Sequence, residues 1–101
     1  MTRETLQYQF LETLKTLPCI EAIWLFGSRA RGDYHPKSEI DLAILCPYAT
    51  PQDWQAILAV IEEADTLLKI DCINFSKEAI TPELYDNILK DKKVLYVKKP
   101  D

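Results

Sequence analysis

Apolar residues recur along the chain at spacings near four and near two, and the changes between these rhythms mark its elements. Leu6, Phe10, Leu14 and Leu17 are spaced four, four and three apart, which predicts an amphipathic helix over 3–17 closed by Pro18. Ile20 to Phe26 follows, with Ile23, Trp24, Leu25 and Phe26 consecutive, a run too short for a helix and suited to a strand buried on both faces. Gly27-Ser28 ends it, residues 28–32 predict a short helical turn, and Asp33-Tyr34-His35-Pro36-Lys37-Ser38 reads as a polar loop.

Residues 39–46 alternate until their last apolar positions and predict a second strand stopped by Pro47. Thr50-Pro51 joins a hydroxyl cap to a first-turn proline ahead of Trp54, Ile57, Leu58 and Ile61, predicting a helix over 51–66. Residues 69–75 predict a third strand. Thr81-Pro82 repeats the cap-and-proline signature for a helix through Asp91, and Val94 to Val97 closes as a fourth strand. The order α, β, turn, β, α, β, α, β predicts one α/β domain, a small mixed β-sheet of about four strands with helices packed against it.

Composition narrows this picture. At 101 residues and 48% hydrophobic content the chain fits a single domain with a small core. A net charge of -4 argues against a general nucleic-acid binder, which needs a basic face to neutralise several phosphates. Lys90, Lys92, Lys93, Lys98 and Lys99 read as a solvated helix end and tail. Cys19, Cys46 and Cys72 are odd in number, widely spaced and flanked by apolar residues, as expected of buried thiols in a reducing compartment. With His35 the sole histidine and no paired cysteines, a structural zinc site lacks ligands. Met1-Thr2-Arg3-Glu4 opens no apolar leader, and no run approaches the roughly 20 residues that span a bilayer, so a cytoplasmic location is expected.

Chemistry gathers in one region. The only glycines, Gly27 and Gly32, lie five residues apart. Glu39 and Asp41 are two apart on a predicted strand, so the pleat sends both carboxylates to one face while Ile40 and Leu42 go to the other. From this spacing alone an exposed strand edge is the better account of the pair. Asp71, however, lies inside the apolar run Leu68, Ile70, Cys72, Ile73 and needs a partner. If the third strand pairs beside the second, three carboxylates converge as the hard oxygen ligands Mg²⁺ takes while holding substrate phosphates; otherwise Asp71 bonds to nearby backbone. Gly27-Ser28, at a strand end and opening a turn, suits backbone N–H groups and a hydroxyl aimed at an anion, or a plain strand-to-helix turn. Ser28 as a hydrolase nucleophile lacks the Gly-x-Ser-x-Gly context, and the only histidine, His35, lies in the polar loop.

The segment Leu25-Phe26-Gly27-Ser28-Arg29-Ala30-Arg31-Gly32, with ten residues between Ser28 and Glu39, followed by Glu39-Ile40-Asp41-Leu42, resembles the signature of the DNA polymerase beta-like nucleotidyltransferase superfamily. The compact Gly-Ser-x-Ala-Arg-Gly form and the short chain are similar to the minimal nucleotidyltransferases, the antitoxin partners of HEPN-domain toxins. The resemblance implies the nucleotidyltransferase fold and transfer of AMP from ATP, with Mg²⁺ (two ions), to a hydroxyl of the partner toxin, commonly a tyrosine. It further implies that Glu39, Asp41 and Asp71 ligate the metal, that Asp71 also activates the acceptor hydroxyl, and that Gly27 and Ser28 hold the triphosphate. Arg29, Arg31 and Ser38 are then candidates for contacting its phosphates, with Lys37 a weaker one.

One position departs from the family's usual aspartate: Glu39 adds a methylene where Mg²⁺ demands near-octahedral geometry, which predicts reduced or altered transfer. Two other functions compete with the enzyme. One is a binding module that neutralises its partner by contact; the other is a transferase acting on a small molecule, disfavoured by the lack of room for a substrate domain.

Overall fold

The computed structural model describes residues 8–33 and 35–99. Its elements run α1 (Gln9–Lys15), β1 (Ala22–Phe26), α2 (Ser28–Arg31), β2 (Ile40–Leu45), α3 (Pro51–Glu62), β3 (Ile70–Asn74), α4 (Pro82–Asp91) and β4 (Lys93–Val97). The order is the one expected, and the strands form a single sheet in the order β3-β2-β1-β4. β1 is antiparallel to both β2 and β4, whereas β2 and β3 are parallel, joined by the α3 crossover. The sheet is therefore mixed.

Alternation along each strand decides which helix covers which face. Ile23 and Leu25 of β1 and Ile40, Leu42 and Ile44 of β2 are fully buried with Phe10, Leu11 and Leu14 of α1 and Ile57 of α3. Burying a side chain of this size stabilises a fold by about 1.5–3 kcal/mol, so this face carries the core. Trp24 lies between Ile23 and Leu25 and points the other way. There its ring meets Phe75 at 5.0 Å, Phe75 stacks on Tyr85 of α4 at 4.7 Å, and the Lys92 ammonium sits 4.2 Å from the Trp24 centroid. α4 thus covers the second face more thinly, and the expected double-sided burial of β1 is uneven: Trp24 and Phe26 remain half-buried. Trp54 packs against the main core.

Caps set the helix ends. The Thr50 hydroxyl accepts from Asp53 N while the Asp53 carboxylate accepts from Thr50 N, a reciprocal box, and Thr81 accepts from Leu84 N. α3 stops at Glu62, short of the expected residue 66, with Glu63 as its C-cap. α1 differs more. Tyr8 is extended, so the helix begins at Gln9; Leu6 and the rest of the expected 3–7 start lie outside the described residues, as does Tyr34 of the polar loop. The carboxylate that caps it is Asp65, distant in sequence, which accepts from Gln9 N at 3.1 Å and Phe10 N at 3.3 Å.

The three cysteines are free, with Cys46 buried and Cys19 and Cys72 partly so. Burial pushes the Cys46 thiol up to about 11 and the Cys72 thiol up to about 12, which keeps both protonated and unreactive. Among the described residues no helix is long and apolar enough to cross a membrane.

Candidate active site

Sheet register builds the acidic cluster. In the parallel pair, Asp41 of β2 stands beside Asp71 of β3, and Glu39 precedes β2 by one residue on the same side as Asp41. One ligand oxygen from each of Glu39, Asp41 and Asp71 lies within 4.8 Å of the others. All three point away from the Ile40–Leu42–Ile44 core, toward the face that α4 partly covers. Asp71 is exposed, the Glu39 side chain is 48% exposed, and Asp41 is the least accessible of the set. The Asp41 carboxyl is consequently held above its ordinary value, first by burial, then by Asp71 and Glu39, with Arg31 opposing.

Gly27 forms the wall behind Asp41. Phe26 is the β1 residue paired with Asp41, so the chain leaves the sheet beside that carboxylate. Gly27 adopts φ 77°, ψ -158°, a region essentially restricted to glycine, and a Cβ there would fall on the Asp41 carboxylate. α2 then starts at Ser28. The Ser28 carbonyl accepts from Gly32 N at 2.9 Å and Asp33 N at 3.1 Å, and Gly32, at φ 89°, ends the turn in the left-handed region.

The two arginines of α2 part ways. Arg29 is 9% exposed; its Nε and Nη2 donate to the Ser38 carbonyl at 3.2 Å, and Nη2 also donates to the Pro36 carbonyl at 3.1 Å. The Ser38 hydroxyl accepts from His35 N at 2.8 Å, so Arg29 and Ser38 both brace the loop that leads into Glu39. Arg31 is exposed, with Nη1 on Asp91 at 3.0 Å and Nε on Asp33 at 3.4 Å. Lys37 is exposed in the same loop. The structure therefore brings Gly27 and the three acids together, with Arg31 near enough to act on Asp41, and sets the heads of Arg29 and Ser38 against backbone.

Two residues here were not anticipated. Lys69 approaches Glu39 at 3.7 Å because Ile40 pairs with Ile70, which puts the preceding residues side by side. Asp91 reaches Arg31 from the end of α4, and its one sequence signal is an acid in the last turn of a helix, where the dipole favours cations.

Three carboxylates this close repel one another, and as hard oxygen donors beside an open edge their chemistry fits a divalent cation such as Mg²⁺.

Residues 9–101 match the family described as polymerase beta, nucleotidyltransferase. Among solved structures, a protein from Sulfolobus solfataricus described as a nucleotidyltransferase shares 23% identity at a TM-score of 0.59, over 89% of this chain and 76% of that one. A toxin–antitoxin structure with AMP-PNP shares 20% identity at a TM-score of 0.59, over 90% of this chain and 75% of that one. A variant of the toxin–antitoxin MntA–HpeT with two aspartate-to-glutamate substitutions shares 20% identity at a TM-score of 0.62, over 97% of this chain and 76% of that one. At these identities the likenesses speak for the fold. No curated protein sequence matches the chain.

Proposed function

The chain belongs to the polymerase beta nucleotidyltransferase family, and from that premise we propose that it transfers AMP from ATP, with Mg²⁺, to a hydroxyl of a partner toxin. The observation that carries this reading is the side-by-side placement of Asp41 and Asp71 on parallel strands, with Glu39 within 4.8 Å and glycine backbone against Asp41. Two of the solved likenesses are toxin–antitoxin structures, one of them with AMP-PNP, which supports both the partner class and the donor.

In this reading Glu39, Asp41 and Asp71 hold the metal. Bound there, Mg²⁺ supplies neutralisation of charge on the phosphates. Gly27 lets the triphosphate approach the backbone, Ser28 donates its hydroxyl, and Arg31 meets phosphate oxygens. Arg29 and Ser38 act on the nucleotide site by fixing the loop before Glu39. The acceptor oxygen attacks the α-phosphorus, the bond to the bridging oxygen breaks, pyrophosphate leaves, and the acceptor proton passes to Asp71. The exposure of Glu39 and Asp71 leaves the cluster open on one side, which a protein acceptor covers; a tyrosine hydroxyl of a HEPN-domain toxin is the acceptor we assign.

One observation favours a second reading. The longer Glu39 side chain is drawn toward Lys69 at 3.7 Å, which competes with metal ligation and suits a module that neutralises its toxin by contact alone. Labelled ATP decides between them: the co-expressed partner acquires labelled AMP with the native chain and none with Asp41→Ala. Full neutralisation by an Asp41→Ala, Asp71→Ala double variant would instead select the contact reading.

A further inference from the structure

Arg31 stands one helical turn after Gly27, its N–H donating to the Gly27 carbonyl at 3.1 Å, and Gly27 is the residue that abuts the Asp41 carboxylate. That bond closes the single turn of α2 back onto the glycine, so Arg31 flanks the acidic cluster. An exposed arginine normally samples many rotamers, yet two carboxylates restrain this one, Asp33 at Nε and Asp91 at Nη1. They are unequal partners: the Asp33 side chain is 64% exposed at 3.4 Å, whereas that of Asp91 is 18% exposed at 3.0 Å. Asp91 is also the last residue of α4, a position where the helix dipole disfavours an acid. A local rule broken at a partly buried position needs a compensating partner, and Arg31 is that partner.

We propose that Asp91 is a positioning residue for the nucleotide: anchored on α4, it holds the Arg31 guanidinium beside the acidic cluster so that its unused N–H groups meet the triphosphate. Guanidinium carries five N–H donors in a rigid fork; binding one η hydrogen and the ε hydrogen fixes the plane and leaves the other three for phosphate oxygens. The inference rests on the nucleotide reading above, and extends it to Asp91 on α4, which lies outside both the Gly-Ser and the acidic motifs. α4 thereby becomes part of the nucleotide site through the Asp91–Arg31 ion pair.

The test is calorimetric titration of the full chain with Mg·ATP, comparing the native protein with Asp91→Ala, Asp91→Asn, Arg31→Ala and the Arg31→Ala, Asp91→Ala double variant, each checked by its melting curve. Asp91→Ala is expected to weaken binding about three- to tenfold, the ordering cost of one rotamer-rich side chain. Asp91→Asn recovers most of this because its amide oxygen accepts the same bond. In the absence of Arg31, removing Asp91 has no further effect, a coupling that a merely structural role would not give. Native affinity in Asp91→Ala, or an equal loss with and without Arg31, overturns the proposal. Should Asp91→Ala melt below the assay temperature, Asp91→Ser carries the same comparison. A native chain that takes up no Mg·ATP removes the nucleotide reading itself and this inference with it, whereas native binding indifferent to Asp91 removes this inference alone.

Discussion

Replacing Gly27 with alanine puts one methyl group where the Asp41 carboxylate already lies. Two costs follow from the geometry. The backbone at φ 77°, ψ -158° is essentially closed to side chains, a strain of about 1–3 kcal/mol. The new Cβ would also overlap the Asp41 carboxylate, 3.2 Å from its Cγ and 3.5 Å from its Cβ, and overpacking of this kind costs about 1–3 kcal/mol. Gly32→Ala separates the two. Gly32 also has a positive φ of 89°, but a Cβ there meets nothing within 4 Å, so only a backbone cost of about 1–2 kcal/mol applies. For a domain of this size about 1 kcal/mol corresponds to roughly 4–8 °C in Tm. Thermal unfolding followed by circular dichroism should therefore place Gly32→Ala about one such step below the native chain and Gly27→Ala at least two. Adding Asp41→Ala to Gly27→Ala should restore the steric part and leave the backbone part. Equal losses at the two glycines, with no recovery on removing Asp41, would refute the placement of Gly27 against that carboxylate.

Three further outcomes are expected. Asp41 titrates above its ordinary 3.8 in the fold, so its contribution favours the native state in acid and fades as pH rises through the native value; at neutral pH without metal it is unfavourable. At 4.8 Å two unit charges repel by about 1 kcal/mol in water, so Asp41→Asn should raise the Tm by several degrees at pH 7 in chelator while losing the stabilisation Mg²⁺ gives the native chain; a lower Tm in chelator would contradict the clustered geometry. Glu39→Asp should bind Mg²⁺ more tightly and transfer AMP faster, since the shorter acid no longer reaches Lys69, and equal metal affinity and turnover in both forms would show that the extra methylene is immaterial. Arg29→Lys keeps the charge but not the fork that serves the Ser38 and Pro36 carbonyls; it should cost about 1–3 kcal/mol and speed amide exchange at Ser38, and unchanged exchange there would mean that Arg29 does not brace the loop.

Much of the fold was legible because local chemistry and global packing agree. Thr50-Pro51 and Thr81-Pro82 start α3 and α4 as capping rules require, and the alternation around Ile40, Leu42 and Ile44 fixes which side of β2 meets the core. That same alternation is enough to put Glu39 and Asp41 together on the opposite side. The cap of α1 was not legible, because Asp65 supplies it from across the fold. Nor was the partition of the two arginines: although both sit on the short helix α2, Arg29 turns into the loop and Arg31 out toward Asp91, a difference set by what surrounds α2.

By itself, then, the sequence determined the order of elements, the glycine at the strand end, and two acids on one face, since these depend on periodicity and backbone freedom within a few residues. Only the tertiary structure decided that β3 lies parallel beside β2 in the register that sets Asp71 next to Asp41, and that α4 ends where Asp91 meets Arg31. Pairing register and helix placement arise from contacts between segments distant in the chain, where a shift of one residue would turn Asp71 toward the core and dissolve the site.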